Sequence, residues 1–169
     1  TRRRLPHWAL TGSTYIVTFR LLQGELSAEE RRTVLQHIRS GDGRYYRLLA
    51  ATVMPDHVHL TIAPLPGYTL SRVLKGIKGI SARKMNLLRG AKGPLWQDES
   101  LDRILRDEDE LVEKLHYMLM NPVKRGLVDD PWGYEGWYYA GEVADKNVCP
   151  TTDRGASSTG SRNVAGHTS

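Results

Sequence analysis

The 169-residue sequence holds a single cysteine, Cys149. That excludes an intramolecular disulfide and a cysteine-rich zinc ribbon. No apolar run approaches the ~18 residues that a membrane-spanning helix needs. The opening stretch TRRRLPHWAL is basic but lacks the apolar core of a signal peptide. These absences lead us to expect a soluble, cytoplasmic protein with no membrane partner. Acids are missing locally: 1–24 carries four arginines and no acid, and 57–97 carries seven Lys/Arg and no acid. The segment 98–113 reverses this with eight acids and two arginines, so the formal net charge of +5 conceals a strongly polar layout. Two readings stay open: a pair of solvated faces of opposite sign, or a phosphate-contacting surface made by the N-terminal arm and the basic middle.

The β-branched and aromatic run 14–20 predicts a strand. Ser27 with Glu30 three residues on predicts a capping box opening a helix to about Ser40, stopped by Gly41-Asp42-Gly43. Strands are expected over 45–53 and 57–63, joined by Met54-Pro55-Asp56 as an antiparallel hairpin. A helix over 70–88 has Leu70, Val73, Leu74, Ile77 and Ile80 on one side, with Gly76 and Gly79 either weakening it or admitting another backbone. A fourth strand is expected over 101–106, then a helix from Asp107 that should end by Asn121, before Pro122. The order β-α-β-β-α-β-α predicts an α+β fold, a ferredoxin-like antiparallel sheet with helices mainly on one face, plus a C-terminal helix. The aromatic segment 129–140 should pack back on this domain, assigned to 1–144. The apolar-poor segment 145–169 is expected to be a disordered tail.

His57-Val58-His59 lies on the third strand, where alternation puts His57, His59 and Thr61 on one face and Val58, Leu60 and Ile62 on the other. Two imidazoles two residues apart on one face can share a metal ion; two plain surface histidines are the alternative. An HxHxDH zinc hydrolase would need Asp at position 61, where Thr61 stands. A two-histidine phosphoesterase would need a second HxT, which the sequence lacks. On the last helix, Leu111, Val112, Leu115, Met118 and Leu119 share an apolar face, while Glu113, Tyr117 and Asn121 form a stripe away from it. Tyr117 is then either an ordinary half-exposed tyrosine or a phenolic nucleophile toward phosphorus. In the second case Asn121, one turn on, could lend a carboxamide oxygen as third metal ligand.

The segments RRRLPHW (2–8), YIVTFRL (15–21), VMPDHVHLTI (53–62), LKGIKGISARKMN (74–86), LWQDESLDRILRDEDE (95–110) and YMLMNPVKRGLV (117–128) resemble, in order, the REP-associated tyrosine transposases of the HUH single-tyrosine transposase superfamily. The resemblance covers about 1–140. It implies a ferredoxin-like or RRM-like domain in which His57 and His59, with Asn121, hold Mg²⁺ or Mn²⁺. Tyr117 would cleave single-stranded DNA, leaving a 5′-phosphotyrosine link and a free 3′-OH that allows rejoining. The implied partner is single-stranded DNA with palindromic hairpins, the implied setting the nucleoid, and the chain either a monomer or a homodimer. Arg2, Arg3 and Arg4 would follow a hairpin backbone, Lys75, Lys78, Arg83 and Lys84 would contact phosphates, and His7 and Trp8 would join them. Trp8 would stack on a base or pack in the domain.

Two other readings compete. An RRM-like module can bind single strands without chemistry, but such sheets display aromatics on their central strands and 57–63 has none. A catalytically dead descendant is the third, against which stand the intact His57, His59 and Tyr117.

Overall fold

A computed structural model describes residues 13–141. Arg2, Arg3, Arg4, His7 and Trp8, the tail expected from 145 and Cys149 lie outside the described residues. The elements are β1 (Tyr15–Arg20), α1 (Ala28–Ser40), β2 (Tyr46–Val53), β3 (His57–Pro64), α2 (Leu70–Arg89), β4 (Leu101–Ile104), α3 (Glu108–Lys124), a 3₁₀ turn (Pro131–Gly133) and β5 (Trp137–Tyr139). The sheet is antiparallel throughout, in the order β4-β1-β3-β2-β5. The α+β class and antiparallel sheet are as expected, and the histidine-bearing β3 is the middle strand of five.

Alternation along β1 and β3 divides the core. Val17, Phe19, Val58, Leu60 and Ile62 pack against α1 and α2 on one face of the sheet. On the other face Leu49 and Ala50 pack against Leu111, Leu115, Met118 and Leu119 of α3. An irregularity in the β2–β3 register between Leu48 and Ala50 allows Leu48 and Leu49 to serve different layers. Two helices therefore share one face and the tyrosine helix takes the opposite one. Thr18, Thr52 and His59 are register partners across β1, β3 and β2, so all three face the α3 side.

The capping box at Ser27 is present in both directions, with Glu30 Oε1 accepting from the Ser27 amide at 2.9 Å. Glu30 also binds Arg89 at the end of α2, tying the two helices together. Asp107 caps α3 by accepting the Glu110 amide at 2.8 Å.

Two expectations need correction. First, α3 does not end at Asn121; it runs through Pro122 to Lys124. Proline lacks an N–H, which releases the carbonyl of Met118 four residues back. The Thr52 hydroxyl donates to that carbonyl at 3.1 Å, so a side chain from the sheet replaces the missing helical bond. Second, β4 is shorter than 101–106, because Leu105 turns inward to the α3 core and its amide donates to Thr14. The aromatic segment packs back on the domain as expected, part of it as a fifth strand on β2. Gly136 makes this close approach possible, since a Cβ there would collide with the Val53 carbonyl. Gly76 and Gly79, by contrast, admit no close backbone; a Cβ at either would meet open space.

Candidate active site

β3 presents His57 and His59 on the α3 face, where they are 5% and 7% exposed. Their Nε2 atoms converge to 3.1 Å, and the rings meet edge to face with centroids 4.7 Å apart. Each ring is held from behind through Nδ1. The Asp56 carboxylate lies 2.7 Å from His57 Nδ1, and the Thr18 hydroxyl 2.9 Å from His59 Nδ1. A carboxylate on Nδ1 selects the tautomer that leaves Nε2 with its lone pair, the arrangement in which histidine binds metal.

The electrostatics agree with neutral rings. Burial, reinforced by the neighbouring His57 and Arg20 charges, lowers His59 to about 3. Burial also pulls His57 below the ordinary imidazole value, against the opposing pull of Asp56. Burial alone would raise Asp56, but its bond to His57 and the charges of His57 and Arg125 outweigh that and hold it low. Both shifts favour the uncharged imidazoles, and the Nε2 atoms of the pair converge on one spot.

Those residues suit a divalent ion. Two nitrogens each about 2.1 Å from one ion at right angles stand about 3.0 Å apart, close to the observed separation. Among the described residues no cluster of three or more His, Cys, Asp and Glu could complete such a site. A neutral oxygen donor is the remaining kind of protein ligand, and α3 offers one.

The stripe Tyr117–Asn121 on α3, continued by the C-cap residue Arg125, runs along the histidines. At one end the Tyr117 ring meets His59 edge to face, with centroids 5.7 Å apart. At the other, Arg125 Nη1 reaches Asp56 Oδ1 at 3.5 Å. Asn121 sits between these two contacts on the same stripe and is only 8% exposed. Tyr117 itself is 49% exposed, with Lys124 Nζ 5.6 Å from its ring centroid. Tyr117, His59 and Thr18 line a cleft of about 540 Å³ together with Lys114 and Arg103. Sequence reasoning missed Asp56, Thr18, Arg125 and Lys114. Asp56 and Thr18 could have been found by strand adjacency; the helix residues needed the packing angle of α3.

The basic residues of the middle segment lie elsewhere. Lys75, Lys78, Arg83 and Lys84 are on α2, across the sheet from the histidines. The Lys78 ammonium is committed within the chain, donating to the carbonyls of Gln97 and Asp98 and to the Ser100 hydroxyl. Lys75, Arg83 and Lys84 are exposed. Trp96 and Gln97, in another of the matching segments, are structural: Trp96 donates to Ser81 and packs edge to face on Phe19, and Gln97 donates to the Leu21 carbonyl.

The sequence model of the family described as Transposase IS200 like matches residues 19–99. A Haemophilus influenzae protein named as a REP-associated tyrosine transposase is 24% identical over 106 residues, 55% of this chain and 60% of that protein. The ISDra2 transposase TnpA of Deinococcus radiodurans is 35% identical over 65 residues, 38% of this chain and 44% of its own length. The matches therefore span about half the length of these curated relatives. The solved structure of a REP-associated tyrosine transposase bound to a REP hairpin superposes with a TM-score of 0.58 at 18% identity, covering 98% of each chain, and so shares the fold. Over 19–99 this chain is thus similar in sequence to the IS200-like transposases, and it shares the fold of a solved REP-associated tyrosine transposase.

Proposed function

We propose that the protein is a metal-dependent single-stranded DNA endonuclease and strand transferase that acts on hairpin-forming palindromic DNA. The observation that carries this reading is the approach of the exposed Tyr117 ring to His59, beside two neutral imidazoles with converging Nε2 atoms. His57 and His59 would hold Mg²⁺ or Mn²⁺, with the Asn121 carboxamide oxygen as third ligand. When bound, the ion polarises the scissile phosphate and offsets the charge that develops on it.

The chain's own residues do the rest. Tyr117 Oη attacks phosphorus and loses its proton; the bond from phosphorus to the 3′ oxygen breaks, and that oxygen takes up a proton. The 5′ phosphate is left on Tyr117. A second 3′-OH reverses the step and reseals the strand, with no outside energy source because one phosphodiester is exchanged for another. Asp56 and Thr18 hold the imidazoles in position, and Lys114 offers positive charge along the cleft, where Arg103 is paired with Glu110 and Asp102 also lines the wall. Arg2, Arg3, Arg4, His7 and Trp8 are proposed to contact the hairpin. The relative of known structure is bound to such a hairpin, which supports DNA of this form as partner.

The test uses a hairpin oligonucleotide labelled at its 3′ end, with Mg²⁺. The label should migrate with the protein on a denaturing gel, and Tyr117→Phe should abolish the adduct without disturbing the fold, since the ring is half exposed. Wild-type protein that binds palindromes but gives no adduct on any of them, indistinguishable from Tyr117→Phe, returns the function to binding alone. Because Tyr117 and His59 meet within one chain, the cleavage is proposed to occur in cis. Mixing His59→Ala with Tyr117→Phe protein should then restore no activity.

A further inference from the structure

The cations around the histidine site differ in how they are held. Arg103 is paired with Glu110, and Arg125 with Asp56. Arg20 is in none of the ion pairs among the described residues. It is the last residue of β1, and it is exposed.

Strand register fixes where Arg20 stands. In the β1–β3 ladder it is the partner of His57, as Thr18 is of His59. Alternation puts it on the same face as Thr18 and both imidazoles, while Val17 and Phe19 go to the α1–α2 core. Directly opposed side chains start about 4.5–5.5 Å apart at Cβ. Burial is the main cause that lowers both imidazoles, and the nearby charge of Arg20 adds to it in each case. Tyr117 stands at the other end of the pair. Its ring meets His59, and the cleft it lines takes in Ile16, Thr18 and His59, toward the start of β1. Tyr117 and Arg20 therefore bracket the imidazole pair along the strand direction.

In-line displacement at phosphorus keeps the attacking and leaving oxygens on opposite sides. A phosphate held at the imidazole pair and attacked by Tyr117 Oη from the His59 end expels its 3′ oxygen toward the His57 end, where Arg20 stands. A guanidinium carries five N–H donors and keeps its charge at any working pH. It can stabilise a developing alkoxide but does not hand over a proton.

We propose that Arg20 is a catalytic residue that donates a hydrogen bond to the leaving 3′ oxygen of the cleaved strand. As the bond from Tyr117 Oη to phosphorus forms, the phenolic proton passes to water. The bond from phosphorus to the 3′ oxygen breaks, its electron pair stays on that oxygen beside Arg20, and water supplies the proton. In resealing, the same guanidinium steadies the incoming 3′ oxygen as its proton leaves. The inference rests on the strand-transfer reading above.

The test is single-turnover cleavage by full-length protein at saturating concentration in Mn²⁺, on two hairpin oligonucleotides. One is natural, and in the other the scissile 3′ oxygen is replaced by sulfur, which leaves as a thiolate and needs little help from a hydrogen bond. Arg20→Gln should slow the natural substrate about 100-fold and recover most of that loss on the sulfur substrate. Arg20→Lys should restore part of the rate. Calorimetry without DNA should find Mn²⁺ binding by Arg20→Gln no weaker than by wild type, because a cation beside the imidazoles has been removed. Equal slowing on both substrates, or loss of Mn²⁺ affinity along with the rate, makes Arg20 a support of the site and overturns the proposal. Wild type that cleaves while Arg20→Gln matches its rate sinks the role of Arg20 alone. Wild type that forms no adduct on either oligonucleotide sinks the strand-transfer reading, and the role of Arg20 with it.

Discussion

The Thr52–Met118 bond gives the sharpest test of how α3 is attached. Pro122 denies the Met118 carbonyl its usual helical donor, and the fully buried Thr52 hydroxyl supplies one at 3.1 Å. Thr52→Val keeps the shape of the side chain but strands a buried carbonyl, at a cost of about 1–3 kcal/mol. With a urea slope of about 2 kcal/mol per molar, the unfolding midpoint should fall by roughly 0.5–1.5 M. Pro122→Ala restores an N–H at the position that bonds to Met118. In that background Thr52→Val should cost about 1 kcal/mol less, a coupling measurable by a double-mutant cycle in urea. Thr61→Val is the internal control: Thr61 donates only to the Met118 sulfur, a weak acceptor, and its removal should be far milder. Equal costs for Thr52→Val with Pro122 and with Ala at that position would refute the idea that the sheet hydroxyl substitutes for the helical amide.

Other consequences follow from the same geometry. If the proposed metal site holds, Asp56→Asn should weaken Mn²⁺ binding about 10- to 100-fold by calorimetry, because the carboxylate that orients His57 is lost while both imidazoles remain. His59 is held at about 3 in the fold, whereas an unfolded chain protonates it near 6.5. Stability should therefore be unaffected by His59 above about pH 6.5 and decline as pH falls from there toward 3, by up to ~2 kcal/mol at pH 5. His59→Gln should flatten that decline in urea titrations at pH 7 and 5; an unchanged slope would show that the ring is not buried neutral. Gly136→Ala places a Cβ against the Val53 carbonyl, which has no side-chain freedom to yield. It should detach β5 and change the fluorescence of Trp132 and Trp137, which meet at 6.2 Å on this side of the molecule; an unaltered spectrum and stability would contradict the close approach.

The strands, the two capped helices and the shared face of His57 and His59 were legible because they depend on local rules: alternation in a strand, a capping box, a 3.6-residue period. The end of α3 was misread for an equally physical reason. A local rule stops a helix before proline, and the compensating Thr52 hydroxyl is 66 residues away from Met118 along the chain. β5 was hidden because a three-residue strand has too little pattern to read, and because its pairing depends on a bare Gly136 against β2.

The sequence by itself determined the α+β class, the histidine pair on one face of a strand, the exposed position of Tyr117 on its helix and the unequal layout of charge. Each follows from residues close together in the chain. Tertiary structure alone decided which face each helix covers. That placement lays Tyr117, Asn121 and the C-cap residue Arg125 along the imidazoles. It also sends the acid-free helix to the opposite side of the sheet. A helical wheel fixes where a side chain sits around its own axis, but only packing against a particular sheet face determines what that side chain meets.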